Sequence, residues 1–226
     1  MMISIAIDGP SGSGKSSISK VLAKKLGFIS LDTGALYRTI AYFLKNRKIN
    51  YEDENTVAQN LQDININLRY LNSNQRVFLN DKDVTNVIRS EEISMISSRI
   101  SAMPCIRNYL LEFQRNMAKK HNIIMDGRDI GTVVLPNADV KIFLTASPEV
   151  RAKRRYLQLI ESGEKAEYNA IVADVIKRDF NDTHRKISPL KQAKDAIFFD
   201  SSKYDFEQTV DNLLKIIKER IPREAK

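Results

Sequence analysis

Gly9-Pro10-Ser11-Gly12-Ser13-Gly14-Lys15-Ser16 is the stretch from which the rest of the chain is read. Its spacing is that of G-x-x-x-x-G-K-[ST]. The glycines let the backbone turn tightly with its amides facing inward, and a helix N-terminus continues that cradle for phosphate oxygens. Lys15 is expected to reach the β and γ phosphates of ATP, and the Ser16 hydroxyl to bind Mg²⁺. Ser17, next along the helix, is counted with the ATP-binding residues. A chance match in a Gly-rich turn is the competing reading, and context separates the two. Ile3 to Ile7 before the loop reads as a buried strand. Ser16 to Leu26 after it reads as a helix with Ile18, Val21, Leu22 and Leu26 on one face, stopped by Gly27.

Outward from the loop, short apolar runs recur at Phe28 to Leu31, Ile123 to Met125, Lys141 to Leu144 and Ala196 to Phe199. Helical patterns separate them, at Ala35 to Leu44, Ile106 to Lys119, Pro148 to Ser162, Ala166 to Phe180 and Asp205 to Arg220. Strand and helix in alternation predict an α/β fold, a parallel sheet with helices on both faces. From Ile64 to Val84 the chain instead alternates apolar and polar residues around turn-formers at Asn72 to Asn74 and Asn80 to Lys82. That predicts an antiparallel hairpin or small meander inserted in the main fold.

The chain has 226 residues, a length expected of one domain. Its 42% hydrophobic content suffices for a core, and the single cysteine, Cys105, rules out an internal disulfide and fits a reducing, cytoplasmic setting. Neither a signal peptide nor an apolar run of about 20 residues is seen, so no membrane association is expected. The net charge of +8 predicts polyanionic ligands. Arginines spread over many short motifs, with no basic tail, favour nucleotide phosphates over nucleic acid.

Three further stretches carry candidate chemistry. Asp32-Thr33-Gly34-Ala35-Leu36-Tyr37-Arg38 follows the second strand, at the carboxyl edge where α/β sheets bind ligands. Arg38 is a candidate phosphate fork, though alone it reads as a surface helix arginine. Thr33 is either a hydroxyl contact or the N-cap of the next helix. Asp126-Gly127-Arg128-Asp129 follows the strand Ile123 to Met125. Its arginine can hold a phosphate bidentately, its carboxylates can orient the acceptor and Mg²⁺ waters, and a flexible glycine lies between. Arg151, Arg154 and Arg155 share one helix face, as do Arg178, Asp182 and Arg185. On spacing alone both sets read as solvated charged faces, and Arg107 as a surface residue.

A GTPase would need an N-K-x-D loop, and Asn80-Asp81-Lys82-Asp83 has the wrong order. A motor ATPase would be longer. A small-molecule kinase remains, against two alternatives: a kinase for another acceptor, such as AMP, UMP or shikimate, and a nucleic-acid-binding ATPase.

Taken in order, IDGPSGSGKS, LDTGALYR, MDGRDIGTVVLPNADVKIFL, PEVRAKRRYLQL and RDFNDTHRKISPL closely resemble the bacterial cytidylate kinases, over Ile5 to about Asp200. The resemblance implies a P-loop-type five-stranded parallel sheet flanked by helices. Within one domain it implies a core (1–60, 93–150 and 186–226), a nucleoside-monophosphate-binding insert (about 61–92) and a helical lid (about 151–185). It implies transfer of the ATP γ-phosphate to CMP or dCMP, with Mg²⁺, by a monomer. Thr33, Arg107 and Arg185 correspond to the cytosine-reading set, although the family often has Ser where Thr33 stands. Arg178 and Asp182 correspond to the sugar contacts, and Arg38 and Arg128 to the CMP phosphate clamp. Asp129 stands beside the base and acceptor, and Asp126 is counted with the CMP-binding residues. Lys15, Arg128, Asp129, Arg155 and Arg178 are the implied catalytic residues. Arg151, Arg155 and Arg178 are the lid arginines expected to close over the γ-phosphate, the first two counted with the ATP site.

Overall fold

The computed structural model describes residues 2–71 and 74–221. Five parallel strands form the main sheet: β1 (Ser4–Asp8), β2 (Ile29–Asp32), β6 (Ile123–Gly127), β7 (Val140–Thr145) and β8 (Ile197–Asp200). Their order is β2-β6-β1-β7-β8. The central strands β1 and β6 are buried almost throughout, which is why they read as unbroken apolar runs rather than alternating ones.

Each sheet face carries its own core. On one side α1 (Lys15–Leu26) and α8 (Phe206–Arg220) cover Ile5, Ile7, Ile124, Ile142 and Leu144. On the other, α2 (Thr33–Asn46) and α5 (Pro104–Lys120) cover Ala6, Leu31, Ile123 and Met125. Sequence signals mark the helix ends. Gly27 stops α1 in the left-handed conformation at φ 69°, and a reciprocal Asp205–Gln208 capping box starts α8.

Two further helices stand outside the expected set: α3 (Glu54–Asn60), two turns long, and α4 (Glu91–Ile100), which the Ser90 cap, Glu91 and Glu92 in its first turn and the buried Ile93, Ile96 and Ile100 do mark in the sequence. The predicted meander is a separate antiparallel sheet, β3 (Ile66–Leu71), β4 (Asn74–Leu79) and β5 (Lys82–Asp83). Asn80 and Asp81 have φ of 46° and 66°, the pair of positive values that a tight two-residue hairpin turn requires. Of the other expected turn, residues 72 and 73 lie outside the described residues. The meander is no detached lobe, because Ile66, Val77, Leu79 and Val84 join the core formed by α2, α4 and α5. Helices α6 (Pro148–Glu161) and α7 (Tyr168–His184) pack as a pair beside the sheet's carboxyl edge. No helix among the described residues is long and apolar enough to cross a membrane.

Candidate active site

The loop after β1 and the N-terminus of α1 form one end of a cavity of about 470 Å³ at the carboxyl edge of the sheet. That volume is in the range of small-ligand sites. Ser11, Gly12, Gly14, Lys15, Ser16 and Ser17 line it. Gly9, Pro10 and Ser13 build the loop from behind instead. A Cβ at Gly9, whose φ is 152°, would stand 1.9 Å from the Leu144 carbonyl oxygen, so only glycine fits. Ser13 Oγ donates to the Pro10 carbonyl at 3.0 Å. Lys15 is folded onto the loop, its Nζ 2.6 Å from the same carbonyl. Burial, then the Arg128 guanidinium, pulls its ammonium well below the usual value.

Ser16 Oγ donates to Asp126 Oδ2 at 2.6 Å, while Asp126 Oδ1 is buried without a partner. Burial, reinforced by Asp32, pushes the Asp126 carboxyl up to about 7. A buried carboxylate with one unused oxygen beside a serine hydroxyl suits a cation. Magnesium fits in particular, since it keeps most of its coordination for water and phosphate and takes few protein oxygens. Among the described residues no group of three or more His, Cys, Asp or Glu forms a metal cluster.

The opposite wall holds the arginines, and Arg38, Arg107, Arg128 and Arg185 each lie beside a carboxylate. Arg38, on the second turn of α2, donates to Asp32 at 2.9 Å. Asp32 also caps α2 by accepting from Ala35 N, and its own N–H reaches Gln75 Oε1 at 3.0 Å. The capping role considered for Thr33 therefore belongs to Asp32. The buried Thr33 hydroxyl donates to the Asp126 carbonyl at 2.7 Å. Burial pushes Asp32 up, but Arg38 and the Ala35 N–H outweigh it and hold the carboxyl below the usual range.

Arg128 Nε donates to Asp182 at 2.8 Å. Gly127 before it serves close packing rather than flexibility, because a Cβ there would lie 2.7 Å from both Thr33 Oγ1 and Ile130 Cδ1. Arg107 is not the surface residue its helix pattern suggests. It is buried, ion-paired with Asp129, and donates Nη1 to the Ser101 carbonyl at 3.0 Å. Arg185 lies just past the end of α7 in extended conformation, so it does not continue the helical face of Arg178 and Asp182. Its Nη2 stands 3.9 Å from Asp129 without a hydrogen bond. Arg178 lines the same cavity, and burial followed by repulsion from Arg128 draws its guanidinium below the usual value. Asp182, one helical turn after Arg178, pairs with Arg128 of the acceptor turn rather than with Arg178.

The three arginines of α6 diverge. Arg151 is buried, forked onto Asp179 of α7, and donates to the Ser11 carbonyl at 3.0 Å, so it bolts the helix pair to the phosphate loop. Arg154 turns to the Ser201 carbonyl at 3.2 Å. Arg155 is exposed at the cavity mouth. Neither set is therefore a uniformly solvated face. Among the described residues, five buried side-chain atoms lack a partner, and three belong to this cavity: Asp126 Oδ1, Arg38 Nε and Arg185 Nη2. Native interiors rarely leave such groups unpaired, so this concentration marks a ligand site.

Sequence reasoning missed several lining residues. Ser94, Ser97, Ser98 and Ser101 give α4 and its end a hydroxyl-bearing wall, with Tyr37 nearby. Their i, i+3, i+4, i+7 spacing was the available signal.

A phosphate loop at one end of the cavity and converging arginines at the other define a P-loop kinase, a phosphotransferase with a small acceptor. The solved structures support the fold. A shikimate kinase from Bacteroides thetaiotaomicron superposes with a TM-score of 0.50 at 15% identity, covering 97% of this chain and 98% of that one. An uncharacterized protein from Eubacterium ventriosum reaches 0.52 at 15% identity, covering 97% and 100%. Residues 5–219 match the family model described as cytidylate kinase, and the chain belongs to the cytidylate kinase family. It is 46% identical to the cytidylate kinase of Carboxydothermus hydrogenoformans over 213 residues, covering 94% of this chain and 96% of that protein. Against that of Streptococcus mutans it is 44% identical over 225 residues, covering 99% of both.

Proposed function

We propose that the protein transfers the γ-phosphate of ATP to CMP or dCMP, giving ADP and CDP or dCDP. The observation that carries this reading is the convergence of Arg38, Arg107, Arg128, Arg178 and Arg185 on one cavity that ends in the phosphate loop. Two anions must be brought together, desolvated and held in line, and this chemistry needs positioned cations rather than a protein nucleophile. Cys105, His121 and His184 accordingly have no role in the transfer.

In the proposed complex the phosphate-loop amides and Lys15 hold the donor. Lys15 leaves the Pro10 carbonyl for phosphate oxygens, whose charge restores its own. Ser16 and Asp126 would hold Mg²⁺, which supplies charge neutralisation on the phosphates. Arg38 and Arg128 clamp the acceptor phosphate, and Arg178 with Asp182 takes the sugar. Thr33, Arg107 and Arg185 face the base, with Asp129 orienting the two arginines. The α6–α7 pair, about residues 151–185, acts as the lid, with Arg155 and Arg178 reaching the transferring group and Arg151 anchoring its base. Residues 61–92 form the acceptor-side insert, and 1–60, 93–150 and 186–226 the core. The protein works as a cytoplasmic monomer without nucleic acid or membrane.

A coupled ADP-release assay over CMP, dCMP, UMP, AMP and GMP, with single-stranded DNA as a parallel stimulus, tests the reading. CMP and dCMP are expected to exceed AMP and GMP strongly and UMP less strongly, since a mismatched polar edge leaves buried groups unpaired. Equal rates with AMP, or stimulation by DNA alone, would reject it.

A further inference from the structure

Asp8 is the last residue of β1 and precedes the phosphate loop, outside the motif's consensus. Its side chain points across the sheet edge. Oδ1 accepts from Ile130 N–H at 2.8 Å and Oδ2 from Gly131 N–H at 2.7 Å. These amides open the short π-helix Ile130–Val134, whose wide turn is visible in the bonds from Val134 N to the Asp129 carbonyl and from Leu135 N to the Ile130 carbonyl. The residues immediately before that turn are Arg128 and Asp129. Asp8 is 4% exposed, so its charge is kept out of water for the sake of two backbone contacts. A leucine or valine would complete the apolar strand at far lower desolvation cost. π-turns are rare and concentrate at functional sites, where they re-aim neighbouring side chains.

We propose that Asp8 is a positioning residue for phosphoryl transfer. It fixes the acceptor turn carrying Arg128 and Asp129 at a set distance from the phosphate loop that begins one residue after it. The two substrates then meet in line because both of their cradles are referenced to the end of one strand. The inference rests on the functional reading above. Asn cannot replace Asp8, since its amide nitrogen would face one of the two backbone N–H groups, donor against donor. The turn would then relax, and a shift of about 1 Å at the reacting centre is enough to cost about 10²-fold in rate.

The test uses Asp8→Asn with Ile217→Ala as a control. Ile217 is fully buried in the α8 core and lines no part of the cavity. Thermal melting, kcat with CMP and ATP affinity without CMP are measured for both. Asp8→Asn is expected to lower kcat between about 30- and 100-fold while ATP affinity stays within about threefold. Ile217→Ala is expected to lose thermal stability while keeping kcat within about twofold. A folded Asp8→Asn protein with kcat within threefold of the parent overturns the proposal. So does a parallel loss of ATP affinity, which would confine Asp8 to the phosphate loop, or an equal kcat loss in the control. If Asp8→Asn does not fold, amide exchange of the parent decides. Slow exchange at Ile130 and Gly131 without nucleotide supports the clamp, and free exchange there removes it. Inactivity of the parent itself toward every monophosphate would be a failure of the functional reading, which the same assay separates from a failure of Asp8.

Discussion

Replacing Arg128 by lysine isolates what the geometry of one guanidinium contributes. Its Nε is held by Asp182 at 2.8 Å and its Nη1 faces the Gly127 carbonyl at 3.4 Å, which leaves Nη2 for the acceptor phosphate in the proposed complex. Lysine keeps the charge but has one nitrogen on a flexible stem, so it can serve Asp182 or the phosphate and cannot hold a plane between them. The loss is one hydrogen bond between charged groups, about 1.5–3 kcal/mol. Because the Arg128 side chain is 23% exposed, solvent screening places the value in the lower half of that range. The expected fall in kcat/KM for CMP is therefore about 10- to 45-fold. ADP release at saturating ATP and varied CMP measures it, with the apparent KM for ATP expected to stay within about threefold. Combining Arg128→Lys with Asp182→Ala should give a cycle that is non-additive by about 0.5–3 kcal/mol, since the two side chains share a bond. A surface arginine would move these constants by less than about 0.5 kcal/mol. A folded variant with kcat/KM for CMP within threefold of the parent would refute the placement of the phosphate clamp.

Lys15→Ala should reduce turnover by about 10²-fold or more while the protein still melts cooperatively, and near-normal turnover in that variant would remove the phosphate-loop assignment. Asp182→Ala should change the ratio of CMP to dCMP use while leaving apparent ATP affinity nearly unchanged, and an unaltered ratio argues against a sugar contact there. Burial raises the Asp8 carboxyl to about 6, above its ordinary value of 3.8. The stability it contributes is thus fully present below about pH 4 and is lost as pH rises through about 6. Asp8→Asn has no such loss, so its destabilisation, read by urea unfolding without nucleotide, should shrink between about pH 4.5 and 7. A destabilisation that grows over that range contradicts the raised value.

The phosphate loop and the five strands were legible because each is a local signal: a fixed glycine spacing, or an apolar run long enough to cross a buried sheet. The Asn80-Asp81 turn was legible for the same reason. Arg107 was not, because its partner Asp129 lies 22 residues away and only the packing of α5 against the π-turn brings them together. Asp8 escaped notice because nothing in its neighbourhood predicts that amides 122 residues on will meet it. The arginines of α6 illustrate the same limit. Their spacing defines a shared face, but whether that face meets water, Asp179 or Ser201 depends on how α7 and β8 approach. Between its two roles, hydroxyl contact and helix cap, Thr33 could not be decided from sequence, because Asp and Thr both cap well and only the conformation at Asp32 gives the cap to that residue.

The antiparallel meander cannot be handled as a removable cassette. Ile66, Val77, Leu79, Val84 and Ile88 are each less than 9% exposed and lie in one cluster with Leu36 and Ile40 of α2 and Leu110 of α5. Excising residues 61–92 would open that cluster to water at about 1.5–3 kcal/mol for each side chain exposed. Five such exposures amount to about 7.5–15 kcal/mol, comparable to the roughly 5–15 kcal/mol that holds a typical domain together. An engineer seeking a new acceptor by grafting this segment from a related kinase must carry the facing surfaces of α2, α4 and α5 with it, so the unit of exchange is a block of core rather than a stretch of chain.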